Sequence, residues 1–157
     1  MLNKTGVPTK EMVLSKFPDD SILEKPKAII ECYEEIPCNP CATSCPFDAI
    51  RIEDEMNAIP KLDLDLCTGC GQCVIHCPGI AIMVSQLLNQ KAIFKIAYEF
   101  LPRPQVGEIW KGVNRNGDVI CDCEIQKVYV PKNNHTAMIT IVVDAKYLHD
   151  FVSIRHG

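Results

Sequence analysis

One run of residues limits this chain more than any other: Cys67-Thr-Gly-Cys70-Gly-Gln-Cys73-Val-Ile-His-Cys77-Pro78, spaced C-x2-C-x2-C-x3-C-P. The x2 spacings let three thiols converge from one tight loop. A second copy lies upstream as Cys38-Asn-Pro-Cys41-Ala-Thr-Ser-Cys45-Pro46. An offset of 32 residues places Cys38 on Cys70, Cys41 on Cys73 and Cys45 on Cys77. The partner of Cys67 is then Glu35, which carries no thiol, and the nearest spare one is Cys32.

Thiolates are soft ligands that suit zinc and iron–sulfur clusters. The complete run has the spacing that holds 4Fe–4S clusters in pairs, the fourth cysteine of each run ligating the other run's cluster. The expected cofactors are therefore two 4Fe–4S clusters. Cluster one is assigned Cys32, Cys38, Cys41 and Cys77. Cluster two is assigned Cys67, Cys70, Cys73 and Cys45. Gly69 and Gly71 permit the unusual backbone angles that such a loop needs. Zinc is the rival metal, because Cys38/Cys41 and Cys67/Cys70 make a pair of C-x2-C units. Zinc leaves Cys45, Cys73, Cys77 and both following prolines without a role. A radical-SAM site needs C-x3-C-x2-C, and Cys41-x3-Cys45 has Asp48 where the third cysteine should stand.

Ten cysteines in 157 residues would suggest disulfides in a secreted chain. Met1 to Lys16 holds no apolar run of signal-peptide length, so a reducing, cytoplasmic setting is expected. No apolar stretch is long enough to span a bilayer, so no membrane span is expected. Charge is uneven: residues 28–83 hold two Lys/Arg against nine Asp/Glu, whereas residues 84–157 hold nine against seven. Bound clusters would add roughly −2 each to the acidic segment. Nucleic-acid binding wants a basic face, and none is evident. An acidic face steers a basic partner or is simply solvated surface.

The expected fold is α+β, in three parts. Residues 1–27 read as an N-terminal arm in which Thr9 caps a short helix ending at Lys16. Residues 28–83 read as a pseudo-two-fold, two-cluster domain. In it a strand over Ala28 to Tyr33 leads into the first run. Ile50–Ile52 and Ile59–Leu62 form a hairpin around 53–57, and a helical turn then a strand follows each Cys-Pro. The post-proline segments match at the same offset, Pro46-Phe-Asp-Ala49-Ile50 against Pro78-Gly-Ile-Ala81-Ile82. Residues 84–157 read as a β-rich docking domain, a small antiparallel barrel or sandwich. Its strands are expected at 92–100, 106–113, 119–130 and 136–143. Turns are expected at Asn114–Asp118 and Pro131–Asn134, and a terminal helix over Lys146 to Ile154.

Cys121 and Cys123 alternate with Asp122 and Glu124, and read as core residues of a strand. His76 reads as a solvent-facing spacer or as a tuner of a nearby cluster. His135, His149 and His156 pair with no Asp or Ser at triad spacing. No glycine-rich nucleotide fingerprint occurs. No catalytic residue is assigned.

Residues 28–83 resemble the bacterial two-cluster ferredoxins, with Glu35 as the departure from their pattern. The strings Glu31-Cys-Tyr-Glu-Glu-Ile-Pro-Cys-Asn-Pro-Cys41 and Ser44-Cys-Pro46 resemble a narrower group, as do Tyr98-Glu-Phe-Leu-Pro102 and Asn114-Arg-Asn-Gly117. These are the small iron–sulfur subunits that accompany flavoprotein dehydrogenases of amino or imino acids, of the proline, hydroxyproline or opine kind. That resemblance implies a variant C-x5-C-x2-C-x3-C-P run with Cys32 as ligand. It also implies FAD or FMN on partner flavoprotein subunits and an electron-transfer role without catalysis. A free-standing ferredoxin with appended segments, and a structural or regulatory iron–sulfur module, are the alternatives.

Overall fold

A computed structural model describes every residue except Met1, Asn3, Asp54, Asn133, Asn134 and Gly157. The expected turns at 53–57 and 131–134 therefore lie partly outside the described residues. The elements in chain order are α1 (Lys10–Lys16), β1 (Lys27–Ile30), α2 (Pro40–Ser44), β2 (Ile50–Arg51), β3 (Lys61–Leu62), α3 (Gln72–His76), β4 (Ile82–Leu88), β5 (Lys91–Tyr98), β6 (Ile109–Val113), β7 (Val119–Tyr129), β8 (Ala137–Asp144) and β9 (Ser153–Arg155). α1 starts where Thr9 accepts a hydrogen bond from the Met12 N–H at 3.2 Å, as its capping pattern predicts.

Seven strands form one sheet in the order β1-β4-β5-β8-β7-β6-β9, and β2 pairs with β3 as a separate hairpin. Every pairing in the large sheet is antiparallel. The sheet is open, with β1 and β9 as its edges, so the barrel expected from the run of strands does not close. Bulges between Gly112 and Val113 and between Ile125 and Lys127 shift the register of β7 against its neighbours. Such bulges bend a sheet without closing it.

The boundary expected between residues 83 and 84 falls inside β4. Strand alternation then assigns the two faces of β1, β4 and β5 to different cores. Ala28, Ile30, Ile82, Val84 and Ala97 pack with cluster cysteines, together with Ala49, Ile50 and Val74. Ile29, Met83, Phe94 and Ile96 pack on the opposite side with Trp110, Ile125, Ile139, Ile141 and Phe151. The Phe94 and Phe151 rings stack at 4.6 Å. All four residues of β1 are buried, because both of its faces are covered.

Two local expectations change. The helical turns lie inside the cysteine runs, as α2 and α3, and not after the prolines. Each Cys-Pro is followed instead by a turn through a left-handed residue, Asp48 (φ 56°) or Ile80 (φ 51°). The expected terminal helix is a single 3-10 turn over Ala145–Tyr147, capped by Asp144, followed by β9. Leu148 and Phe151 enter the core from that turn, which leaves Ser153–Arg155 to pair with the free edge of β6.

Cys123 is buried on the apolar face of β7 with its Sγ 3.2 Å from the Trp110 carbonyl, and Cys121 packs partly against the same core. Burial pushes the Cys123 thiol up to about 12 and raises that of Cys121. Neither lines a cluster cavity. Cys121→Ala and Cys123→Ala are expected to leave iron per chain unchanged. Cys123→Ala should destabilise the fold by about 1 kcal/mol, read from denaturant titration and iron assay of the same samples.

Candidate metal centre

The two runs build the same local structure at the same offset. α2 and α3 begin at residues 40 and 72. Each then ends at a Cys-Pro, and a residue in the left-handed region follows three positions after the cysteine. That conformation turns the next amide back toward the sulfur. The Ala49 N–H donates to Cys45 Sγ and the Ala81 N–H to Cys77 Sγ, each at 3.4 Å. A β-branched residue at positive φ is strained, so Ile80 marks a place where the surroundings impose the backbone. Amide contacts of this kind to sulfur are one of the levers on cluster potential.

The cysteines gather around two cavities. One is lined by Cys32, Cys38, Cys41 and Cys77, with Glu34, Ile36 and Ile82 among its walls. The other is lined by Cys45, Cys67, Cys70 and Cys73, with Phe47, Leu62 and Val84. Glu35 is exposed and lines neither cavity. Burial raises the Cys32, Cys41 and Cys73 thiols, that of Cys73 to about 12. For Cys73 the charges of Cys67, Cys70, Cys45 and Cys41 add to burial. For Cys32 those of Cys77 and Cys38 do. Four thiolates in so small a space repel, and a bound cationic iron core would offset that repulsion.

A mononuclear zinc site needs donors about 2.3 Å from one point. Four thiols ringing a cavity suit a polynuclear core instead.

The large sheet holds each cavity differently. On the second run, Gly69 has φ +72° and Gly71 has φ +87°. A Cβ on Gly69 would fall 2.5 Å from Pro26 Cβ and 2.7 Å from the Pro26 carbonyl oxygen, and one on Gly71 would collide with Met138 Sδ. The glycines are thus needed for conformation and for close seating of the loop on the sheet. Lys27 Nζ, from β1, donates to the carbonyls of Leu64 and Cys67 at 2.6 Å each. Lys95 Nζ, from β5, donates to the Gly69 carbonyl at 2.9 Å. The Ala28 N–H points at Cys67 Sγ at 3.4 Å.

On the first run the support comes from far along the chain. The Glu31 N–H donates to the Ala81 carbonyl at 2.8 Å, extending the β1–β4 ladder by one step. Ala81 thereby joins the Cys32 limb to Cys77. The Glu31 carboxylate accepts from Arg115 Nε at 2.7 Å and from the Tyr33 hydroxyl at 3.0 Å. Arg115 also donates to the His149 carbonyl. The Arg115 and Glu31 side chains are only 12% and 10% exposed. Removing one partner of such a pair strands a buried charge, which costs about 3–5 kcal/mol. Cys32 therefore sits between Glu31, tied to the turn at Asn114–Asp118, and Tyr33, which bonds the same carboxylate. This network shows where the Glu31–Cys41 and Asn114–Gly117 strings meet. Sequence reading missed Lys27, Lys95, Arg115 and Glu31, because their partners lie 26 to 84 positions away. His76 is exposed, with its Nδ1 2.7 Å from the Gln72 carbonyl, and lines neither cavity.

Residues 36–81 match the family described as 4Fe-4S dicluster domain. The chain contains a dicluster 4Fe–4S domain. The match starts after Cys32. The chain is 41% identical over 54 residues to the ferredoxin-type protein NapF of Haemophilus influenzae, covering 33% of this chain and 31% of that protein. It is 50% identical over 38 residues to one subunit of the Na(+)-translocating ferredoxin:NAD(+) oxidoreductase complex of Acetobacterium woodii, covering 24% of this chain and 11% of that subunit. A polyferredoxin-like subunit of the aliphatic sulfonate oxidoreductase of Pyrococcus furiosus is 30% identical over 67 residues, covering 43% and 34%. The chain thus spans about a third or less of the curated relatives it matches. No solved structure matches. No helix among the described residues is long and apolar enough to cross a membrane.

Gly69→Ala meets both a forbidden φ and the Pro26 backbone, so it should cost about 2 kcal/mol or more. Gly79→Ala, with no protein atom within 4 Å of the new methyl, should cost the fold much less. Thermal melts with iron assay test this. Equal behaviour of the two variants would refute the account of the loop.

Proposed function

We propose that this chain is the electron-transfer subunit of a larger oxidoreductase complex, with flavin chemistry on partner chains. The ferredoxin-type electron-transfer role itself follows from the dicluster domain. The observation that carries the proposal is the pair of cavities, each ringed by four thiols, together with a large sheet that a minimal carrier does not need. Cys32, Cys38, Cys41 and Cys77 would hold one cluster, and Cys45, Cys67, Cys70 and Cys73 the other. A bound 4Fe–4S cluster supplies a site for one electron, at a potential set by its surroundings.

The chain's own residues have definite parts in this reading. Cys32 supplies the thiolate that position 35 lacks, and Arg115 and Glu31 orient its limb. Ala49 and Ala81 aim their amides at the two shared cysteines. The resemblance to subunits of amino- or imino-acid dehydrogenases rests on the strings around residues 31–46 and 98–117, and no substrate is assigned.

Cys32→Ser should lower iron per chain below eight or produce a 3Fe-type EPR signal from one cluster while the other persists. Arg115→Met should do so more weakly. Eight irons with unchanged spectra in Cys32→Ser would eliminate it as a ligand. Purification at native expression levels should bring down flavoprotein chains. A lone 17.6 kDa species with intact clusters would favour the free-standing carrier.

A further inference from the structure

The two cysteine runs differ in the cations bonded to their backbone. Lys27 is 9% exposed, and among the described residues its ammonium bonds the carbonyls of Leu64 and Cys67. Lys95 is half-buried and reaches the Gly69 carbonyl. Among the described residues neither ammonium forms an ion pair with a carboxylate. Burying an ammonium without a counter-charge is expensive. Here both cations bear on one short loop, the one carrying Cys67, Cys70 and Cys73. Asp63 and Asp65 flank that loop, but both are exposed, and the Asp63 carboxylate caps the amides of Asp65 and Leu66.

Around the other cavity the buried cation has a carboxylate partner. Glu31 is neutralised by Arg115. Glu34 lines the cavity, and Lys16 lies near enough to lower the Cys32 thiol against the effect of burial. Lys16 also sits 5.5 Å from the centre of the Tyr33 ring. Glu35 is in solvent.

We propose that Lys27 and Lys95 are tuning residues that hold the transferred electron on the side of Cys45, Cys67, Cys70 and Cys73. This inference rests on the two-cluster electron-transfer reading above. A fixed positive charge in a partly dehydrated site stabilises added negative charge far more than it would in water. One electron leaves the side of Cys32, Cys38, Cys41 and Cys77, which is oxidised, and arrives on the side of the two lysines, which is reduced. The counter-charge missing for Lys27 in the protein is the negative charge of the thiolate-ligated core itself. The lysines therefore give the relay a direction.

The test is a redox titration of the full-length, cluster-loaded protein, followed by EPR, for Lys27→Gln, Lys95→Gln and the corresponding arginine variants. The glutamines remove the charge and keep an N–H donor. The signals are assigned by their response to Cys70→Ser and to Cys38→Ser. The signal altered by Cys70→Ser should move to lower potential in Lys27→Gln by at least a tenfold change in its one-electron equilibrium, about 59 mV. Lys95→Gln should shift it the same way by less, the arginine variants should restore it, and the signal altered by Cys38→Ser should stay in place. No shift, an equal shift of both signals, or a shift confined to the Cys38 signal would overturn the proposal. If Lys27→Gln releases iron, the better-exposed Lys95 position decides it alone by the direction of its shift. The iron count separates the two readings: fewer than eight irons in the unmodified chain defeats the two-cluster reading. Eight irons with unmoved potentials defeats only the role of the lysines.

Discussion

The pairing of β1 with β4 is the contact on which the rest of this molecule depends. β1 is the strand that enters the first cysteine run, and β4 is the strand that leaves the second. Their ladder brings Ile30 opposite Ile82, and its extension through Glu31 and Ala81 sets Cys32 beside Cys77. The same two strands bury Ala28 and Val84 under the second cavity. β4 then continues past residue 83 and pairs with β5, so the cluster site and the appended strands share one hydrogen-bonded sheet. Loss of this ladder would separate the two runs and uncouple both cavities from their platform.

A shared sheet changes what the appended residues do. They form the surface on which the second run is seated, through Lys95 and Met138, and they supply Arg115 to the limb of the first. Each contact solves a problem raised by packing thiols closely. Pro26 and Met138 leave room only for glycine. The lysines cap loop carbonyls that point away from any regular ladder, and unpaired buried carbonyls would be costly. The Glu31–Arg115 pair anchors the stretch in which the two runs differ most. The asymmetry of the repeat in sequence is matched by an asymmetry of support, one loop resting on the sheet and the other tied to a turn.

The sites were more legible in the sequence than the architecture was. The offset of 32 residues predicted the repeat, and the repeat extends to its helix starts, its left-handed residues and its amide–sulfur contacts. Short strands were located to within a few residues, because alternation and turn residues are local signals. Closure of a barrel was not readable, since it depends on bulges and on the partner that β9 finds. The C-terminal segment has helical apolar spacing in Tyr147, Leu148 and Phe151, yet a 3-10 turn meets that spacing while an open strand edge captures the residues that follow.

Ligand type and its twofold repetition were decided by the sequence alone, because the spacing of thiols along a loop limits what they can hold. Tertiary structure alone decided which charges surround them. Lys27 and Arg115 carry no local signal of their role; a strand pairing and a distant turn bury them against carbonyls and a carboxylate. Burial removes the water that would otherwise screen these charges. Their effect on a redox site is therefore a property of the fold, and no local pattern announces it.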